Sequence, residues 1–199
     1  MEIDFLDDEI KFEKELSSLD KFVIDFVSLL DNLDIKYVIV SGYVSILFGR
    51  NRSSEDIDLI IEKMEFIKFK ELWEKIQRDF ECLITEDFEI AYNDYINKNY
   101  SLRFSRKGEY IPNMEIKFPK NELDLWSLNN SKLVILNNHK MFISQIELQI
   151  PFKLFLGSEK DIEDAKYLYS LFKDKLNMEL LNEFNRKLKI VDLFNKYIK

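Results

Sequence analysis

The sequence predicts an α+β (mixed α/β) fold: a mixed sheet flanked by helices, followed by a helical C-terminal part. Three observations predict it. Apolar, β-branched runs at residues 35–41 and 56–62 read as buried strands, while the stretches around them repeat apolar residues every three or four positions. All the strand-like runs precede residue 145. Beyond Pro151 only helical periodicity remains.

Taken in order, Phe12, Leu16, Leu19, Val23, Phe26 and Leu30 step at helical spacing and predict an amphipathic helix ending near Leu33. The strand at 35–41 follows, then a short helix from Tyr43 closed near Gly49, a polar loop at 51–55, and the strand opened by Asp56. Phe66, Phe69, Leu72, Trp73 and Ile76 predict a third helix ending near Phe80. Two alternating strands, "YSLRFSR" and "NMEIKF", flank a turn containing Gly108 and Pro112, and a further hairpin turns at residues 137–139. The last three segments, near 146–157, 159–174 and 178–197, are helical. The expected division is a core at 1–145, with an acidic N-terminal helix, and a helical part at 146–199 packed on it.

Composition narrows the function. A 199-residue chain that is 46% hydrophobic can bury a sizeable core, and the 17 Phe and 9 Tyr show no periodic base-binding arrangement, so core filling accounts for them. The net charge of −8 argues against extensive nonspecific nucleic-acid binding, which needs Lys and Arg in excess. That charge is uneven: residues 1–20 hold eight acids, Asp7 and Asp8 among them, and two lysines, a local −6 that leaves −2 for the rest. The single Cys82 permits no internal disulfide, no apolar run is long enough to span a membrane, and the acidic start lacks the plan of a secretory signal, so a cytoplasmic protein is expected.

The chemistry concentrates at residues 40–61. A strand ends at Ser41-Gly42, a short helix follows, and fourteen residues after Gly42 comes Asp56-Ile57-Asp58-Leu59. Strand alternation places both carboxylates on one face and Ile57 and Leu59 in the core. Two adjacent carboxylates persist when a cation or a shared proton compensates them, and hard oxygens suit Mg²⁺, a partner of phosphates. Taken alone the pair could also be solvated charges or caps. Glu115, between apolar Met114 and Ile116, supplies a third acid, and three carboxylates on neighbouring strands can hold two divalent ions for an in-line phosphoryl displacement. Gly42 would let backbone N–H groups approach a triphosphate, with Arg52 and Ser54 at the same mouth. Ser158 three residues before Asp161 is a helix start, which accounts for that acid by capping and leaves Lys153 and Lys160 available to phosphates. Tyr43 reads as packing and His139 as a surface residue in a turn.

These residues resemble the nucleotidyltransferase superfamily, which shares the polymerase β-like fold. The counterparts of its signature are Val40, Gly42, Asp56-Ile57-Asp58-Leu59 and Glu115, and Arg52-x-Ser54-x-Asp56 is most similar to the branch of AbiEii-type toxins and minimal nucleotidyltransferases. "KLFLGSEKDIEDAKYL" (residues 153–168) is similar to that branch's later helical motif. The resemblance implies transfer of a nucleoside monophosphate from an NTP such as ATP to a hydroxyl acceptor (a small molecule, a protein or an RNA end), with two Mg²⁺ ions. It implies Asp56, Asp58 and Glu115 as catalytic and metal-ligating residues, and Ser41, Gly42, Arg52, Ser54, Lys153 and Lys160 around the nucleotide. It also admits a cognate antitoxin as partner. One departure stands out: the superfamily prefers Gly-Gly or Gly-Ser at the strand end, and this chain has Ser41-Gly42-Tyr43. That departure leaves a second reading open, a binding module or toxin–antitoxin component that keeps the fold without turnover.

Overall fold

A computed structural model describes residues 2–6 and 9–198; Asp7 and Asp8 of the acidic leader lie outside the described residues. The strands form one mixed sheet: β1 (Ile3–Phe5), β2 (Glu9–Phe12), β3 (Tyr37–Val40), β4 (Asp56–Ile61), β5 (Phe80–Cys82), β6 (Leu102–Arg106), β7 (Asn113–Lys117), β8 (Lys132–Leu136) and β9 (His139–Ile143). Their spatial order is β1-β2-β8-β9-β3-β4-β7-β6-β5. Next to the central β3 lie β9, parallel to it, and β4, antiparallel; β7 then runs parallel to β4.

The helices are α1 (Ser18–Asp31), α2 (Gly42–Leu47), α3 (Phe66–Ile76), α4 (Phe88–Ile90), α5 (Glu122–Asn129), α6 (Ile146–Leu156), α7 (Glu159–Phe172), α8 (Met178–Lys187) and α9 (Val191–Tyr197). Ile57, Leu59 and Ile39 join Phe22, Phe26, Tyr43 and Leu47 in the main core, so α1 and α2 cover one face of β3 and β4. Val38, Ile60 and Leu128 of α5 form a separate small cluster on the other face, the face that carries Asp56 and Asp58. Ile146, Ile150, Leu154, Leu168 and Leu181 belong to the main core, so the C-terminal helices pack on the sheet without a core of their own.

The structure corrects several predicted elements. The first helix starts at Ser18, not at Phe12, because Ser17 forms a capping box with Asp20. The acidic leader instead contributes two short strands: β1 pairs antiparallel with β2, and β2 pairs in parallel with β8 and buries Ile10 and Phe12. Phe12 lies four residues before Leu16, a helical step that joined it to the pattern of Leu16 and Leu19, although its burial with Ile10 at a spacing of two is that of a strand. The third helix stops at Ile76, and Phe80 begins β5 against Arg106. The last predicted helix is two, α8 and α9, broken where Lys189 takes a left-handed φ of 57°. Residues 91–98, a π turn and a 3-10 turn after α4, and helix α5 had no counterpart in the sequence reading. The two hairpins are as predicted, with the second turning at Asn137 and Asn138 and His139 already in β9.

One buried acid anchors the turn that follows β3. Asp20 is 1% exposed and accepts from the Tyr43 hydroxyl at 2.8 Å, the Ser17 hydroxyl at 2.7 Å and the Lys14 ammonium at 3.0 Å. Burial pushes its carboxyl up, but the Ser17 and Lys14 contacts together hold it below its ordinary value. Tyr43 is fully buried, so this contact, and not stacking on a ligand, explains a bulky residue after Gly42. Replacing Tyr43 by Phe removes one donor to a charged acceptor and is expected to lower unfolding free energy by about 1–2 kcal/mol. Urea denaturation with an unchanged slope checks it; no loss would mean that Ser17 and Lys14 suffice.

Candidate functional site

Register brings the predicted acids together. Asp58 pairs with Val40 on β3 and with Glu115 on β7, so Asp58 and Glu115 are lateral neighbours on the face away from the main core. Asp56 is exposed one pleat nearer the strand end, while Asp58 and Glu115 are half-buried. Burial pushes the Asp58 carboxyl up, the Glu115 and Asp56 charges push the same way, and a hydrogen bond from Ser41 and the charge of Lys117 pull it back. The net shift is upward. Ser41 reaches Asp58 from a sparsely populated backbone conformation, φ 63° and ψ −134°, immediately before α2.

Gly42 has a reason the sequence did not show. The Arg52 guanidinium lies where a Cβ on residue 42 would be, with the Ser54 hydroxyl 3.6 Å from that point. Ser54 itself donates to the backbone carbonyl of Asp56 at 2.9 Å. Ser41, Gly42, Arg52 and Ser54 thus meet at one mouth, and the glycine admits a cationic side chain against the turn.

Arg52 is held there from below. Its Nη2 lies 3.0 Å from Asp164 Oδ2, Lys153 Nζ lies 2.9 Å from the same oxygen, and Arg50 Nε lies 3.6 Å from Oδ1. Lys153 also pairs with Asp161 at 2.9 Å. Neither Asp164 nor Lys153 has exposed surface. Burial pushes Asp161 up, but hydrogen bonds from Ser158 and Lys153 and the charges of Lys153 and Arg52 hold it below its ordinary value. The Lys153 ammonium is therefore taken up by two carboxylates, whereas Lys160 is exposed on the first turn of α7. Asp161 is capped by Ser158 as expected. Sequence reasoning reached Asp164 only as the last acid of the motif at 153–168 and gave it no role of its own, because nothing local separates it from the other acids of α7.

Arg103 was also overlooked. It sits opposite Glu115 in the β6–β7 hairpin and places Nε at 3.0 Å and Nη2 at 2.9 Å from Glu115 Oε2. Reading the two alternating strands as a registered hairpin would have exposed this pair. As the side chains stand, no three His, Cys, Asp or Glu among the described residues are grouped to hold a metal ion, and Glu115 is turned toward Arg103. The donor set nevertheless fits a hard divalent cation: Asp58 and Glu115 are adjacent, Asp56 is one pleat away, and a cation would relieve the repulsion that lifts Asp58. His139 is exposed at the start of β9, as expected.

No protein-family model matches the chain, and no curated protein does. Solved structures do. An antigenic nucleotidyltransferase-like protein from Paracoccidioides brasiliensis superposes with a TM-score of 0.54 at 20% identity, covering 92% of this chain and 96% of that one. The chain has a nucleotidyltransferase-like fold. ANT(2")-Ia in complex with adenylyl-2"-tobramycin matches with a TM-score of 0.54 at 11% identity over 86% of this chain and 99% of that one. No helix among the described residues is long and apolar enough to cross a membrane.

Two predictions follow from this geometry. Gly42→Ala forces Arg52 off the turn, so it should lower the melting temperature in the wild-type background and have little effect beside Arg52→Ala; a cost that persists in the double variant refutes the contact. Because the folded state disfavours ionised Asp58, Asp58→Asn should melt a few degrees higher at pH 7. That penalty grows as pH rises from the ordinary carboxylate value of about 3.9 to the raised folded one, so the gain should vanish below pH 3.9. Calorimetric melts across that range check the sign.

Proposed function

We propose that this protein is a nucleotidyltransferase that moves a nucleoside monophosphate from an NTP to a hydroxyl acceptor, releasing pyrophosphate. The observation that carries the reading is the registered Asp58–Glu115 pair on the face beside the Ser41–Gly42 turn, with Arg52 fixed against Gly42. The nucleotidyltransferase-like fold supports it.

In this reading Asp56 and Asp58 hold Mg²⁺, one ion or two, with Glu115 joining when it leaves Arg103. When bound, the metal neutralises phosphate charge and lowers the barrier to displacement at the α-phosphorus. Arg52, steadied by Asp164, meets the phosphates at the Ser41–Gly42 turn, and Ser54 borders the same space. The acceptor oxygen bonds to the α-phosphorus, the bond from that phosphorus to the β-phosphate bridging oxygen breaks, and Glu115 accepts the hydroxyl proton. Lys160, exposed at the rim, can add charge to the leaving pyrophosphate, while Lys153 acts through the buried network.

ANT(2")-Ia, whose structure holds adenylyl-2"-tobramycin, is a precedent for a small-molecule acceptor on this fold. The Arg52-x-Ser54-x-Asp56-Ile57-Asp58-Leu59 form supports the AbiEii-type branch, with an antitoxin as partner, and ATP as a candidate donor. The Arg103–Glu115 pair favours a second reading, a module without turnover in which a guanidinium stands where a cation would.

Incubation with α-labelled NTPs, Mg²⁺ and candidate acceptors tests the proposal. Wild-type protein should transfer label, and Asp58→Ala should lower the rate at least a hundredfold, a loss of roughly 2.7 kcal/mol of transition-state stabilisation. Equal labelling by the variant defeats the reading. Absence of both label and calorimetric Mg²⁺·NTP binding favours the silent module.

A further inference from the structure

Between α5, the first turn of α6 and the loop from α7 into α8 lies a cavity of about 380 Å³. It shares no residue with the acid pair or with the mouth at Arg52. Phe5 of β1, Trp126 of α5, Glu147 of α6 and Lys175 of the α7–α8 loop line it, and its volume lies in the range of small-molecule sites.

Three carboxylates are buried among the described residues: Asp20, Asp164 and Glu147. Asp20 has the Lys14 ammonium at 3.0 Å, and Asp164 has Arg52 at 3.0 Å and Lys153 at 2.9 Å. Glu147, 6% exposed, enters no ion pair and accepts only the backbone N–H of Asn177, at 2.9 Å through Oε1. No group among the described residues donates to its Oε2, and that oxygen keeps accessible surface on the cavity that Glu147 lines. A carboxylate taken out of water without a compensating charge is costly, so Oε2 is a place for a cationic donor.

The cavity also presents the opposite charge. Lys175 is exposed and forms no ion pair among the described residues. Lys132, the other cation of the lining, is engaged: its ammonium donates to the Leu6 carbonyl at 3.1 Å and lies 5.2 Å from the Phe5 ring centroid. Glu147 and Lys175 thus line one space without meeting each other. A simple amine would answer Glu147 alone and a simple carboxylate Lys175 alone, whereas a molecule carrying both charges answers both. Phe5 is braced by Phe172 at 5.5 Å between ring centroids and Trp126 by Phe184 at 4.7 Å, so the two rings form a fixed apolar wall.

We propose that this cavity binds a free amino acid with an apolar or aromatic side chain. Its ammonium donates to Glu147 Oε2, its carboxylate accepts from Lys175, and its side chain rests against Phe5 and Trp126. The site stands whether or not the chain transfers nucleotides.

Titration calorimetry of the full chain with each of the twenty standard amino acids, without metal or nucleotide, tests this. An apolar or aromatic amino acid should bind one per chain, and removing either charge, by N-acetylation or by converting the carboxylate to its amide, should weaken it at least about tenfold. Lys175→Ala, a surface change, should weaken the parent amino acid by the same factor and leave the affinity of the amide unchanged. Glu147→Gln should weaken the parent likewise and leave the N-acetyl form unchanged; if circular dichroism shows that this variant does not fold, Lys175→Ala decides alone. Binding by none of the twenty, a preference for charged side chains, equal binding of the parent and its capped forms, or a parent affinity unchanged by Lys175→Ala overturns the proposal and leaves a hydrated recess.

Discussion

The Asp164 carboxylate, with no exposed surface and three cations around it, is the interaction on which the site depends. A buried carboxylate is tolerable only when its charge is compensated, and here the compensation comes from Lys153 on the preceding helix and from Arg50 and Arg52 on the loop before β4. The same contacts that neutralise Asp164 draw that loop onto α2 and α7. One consequence is the position of Arg52 against Gly42, a placement that a free arginine on a polar loop would not keep. The C-terminal helices therefore shape the mouth of the site although they contribute no carboxylate to its acid pair.

A second constraint acts through strand register. Parallel pairing of β4 with β7 sets Asp58 beside Glu115, and antiparallel pairing of β6 with β7 sets Arg103 beside the same glutamate. Slipping either pairing by one residue would turn a charge into the core, so the buried partners Ile57, Leu59, Met114 and Ile116 enforce the arrangement of the polar ones. The raised Asp58 carboxyl and the positive φ of Ser41 are local costs borne by a well-packed sheet. Both costs gather around the strand end beside the Ser41–Gly42 turn.

Much of this was legible in the chain. The central strands were visible because period-two burial and β-branched composition agree, and the acid pair because Asp56 and Asp58 interrupt such a run on one face only. β2 was hidden because Phe12 falls four residues before Leu16 and so extends the spacing of the helix that follows, and only pairing with β8 distinguishes the two.

By itself the sequence determined which segments are strands and helices in the centre of the chain, where the carboxylates lie, and that Ser41-Gly42 turns toward them. These follow from local periodicity and side-chain chemistry. Tertiary structure alone decided that Gly42 accommodates Arg52, that Lys153 serves Asp161 and Asp164, and that Arg103 holds Glu115. The physical reason is that charge compensation in a low-dielectric interior is settled by which groups are brought within a few ångströms of one another, and chain separation carries no information about that distance.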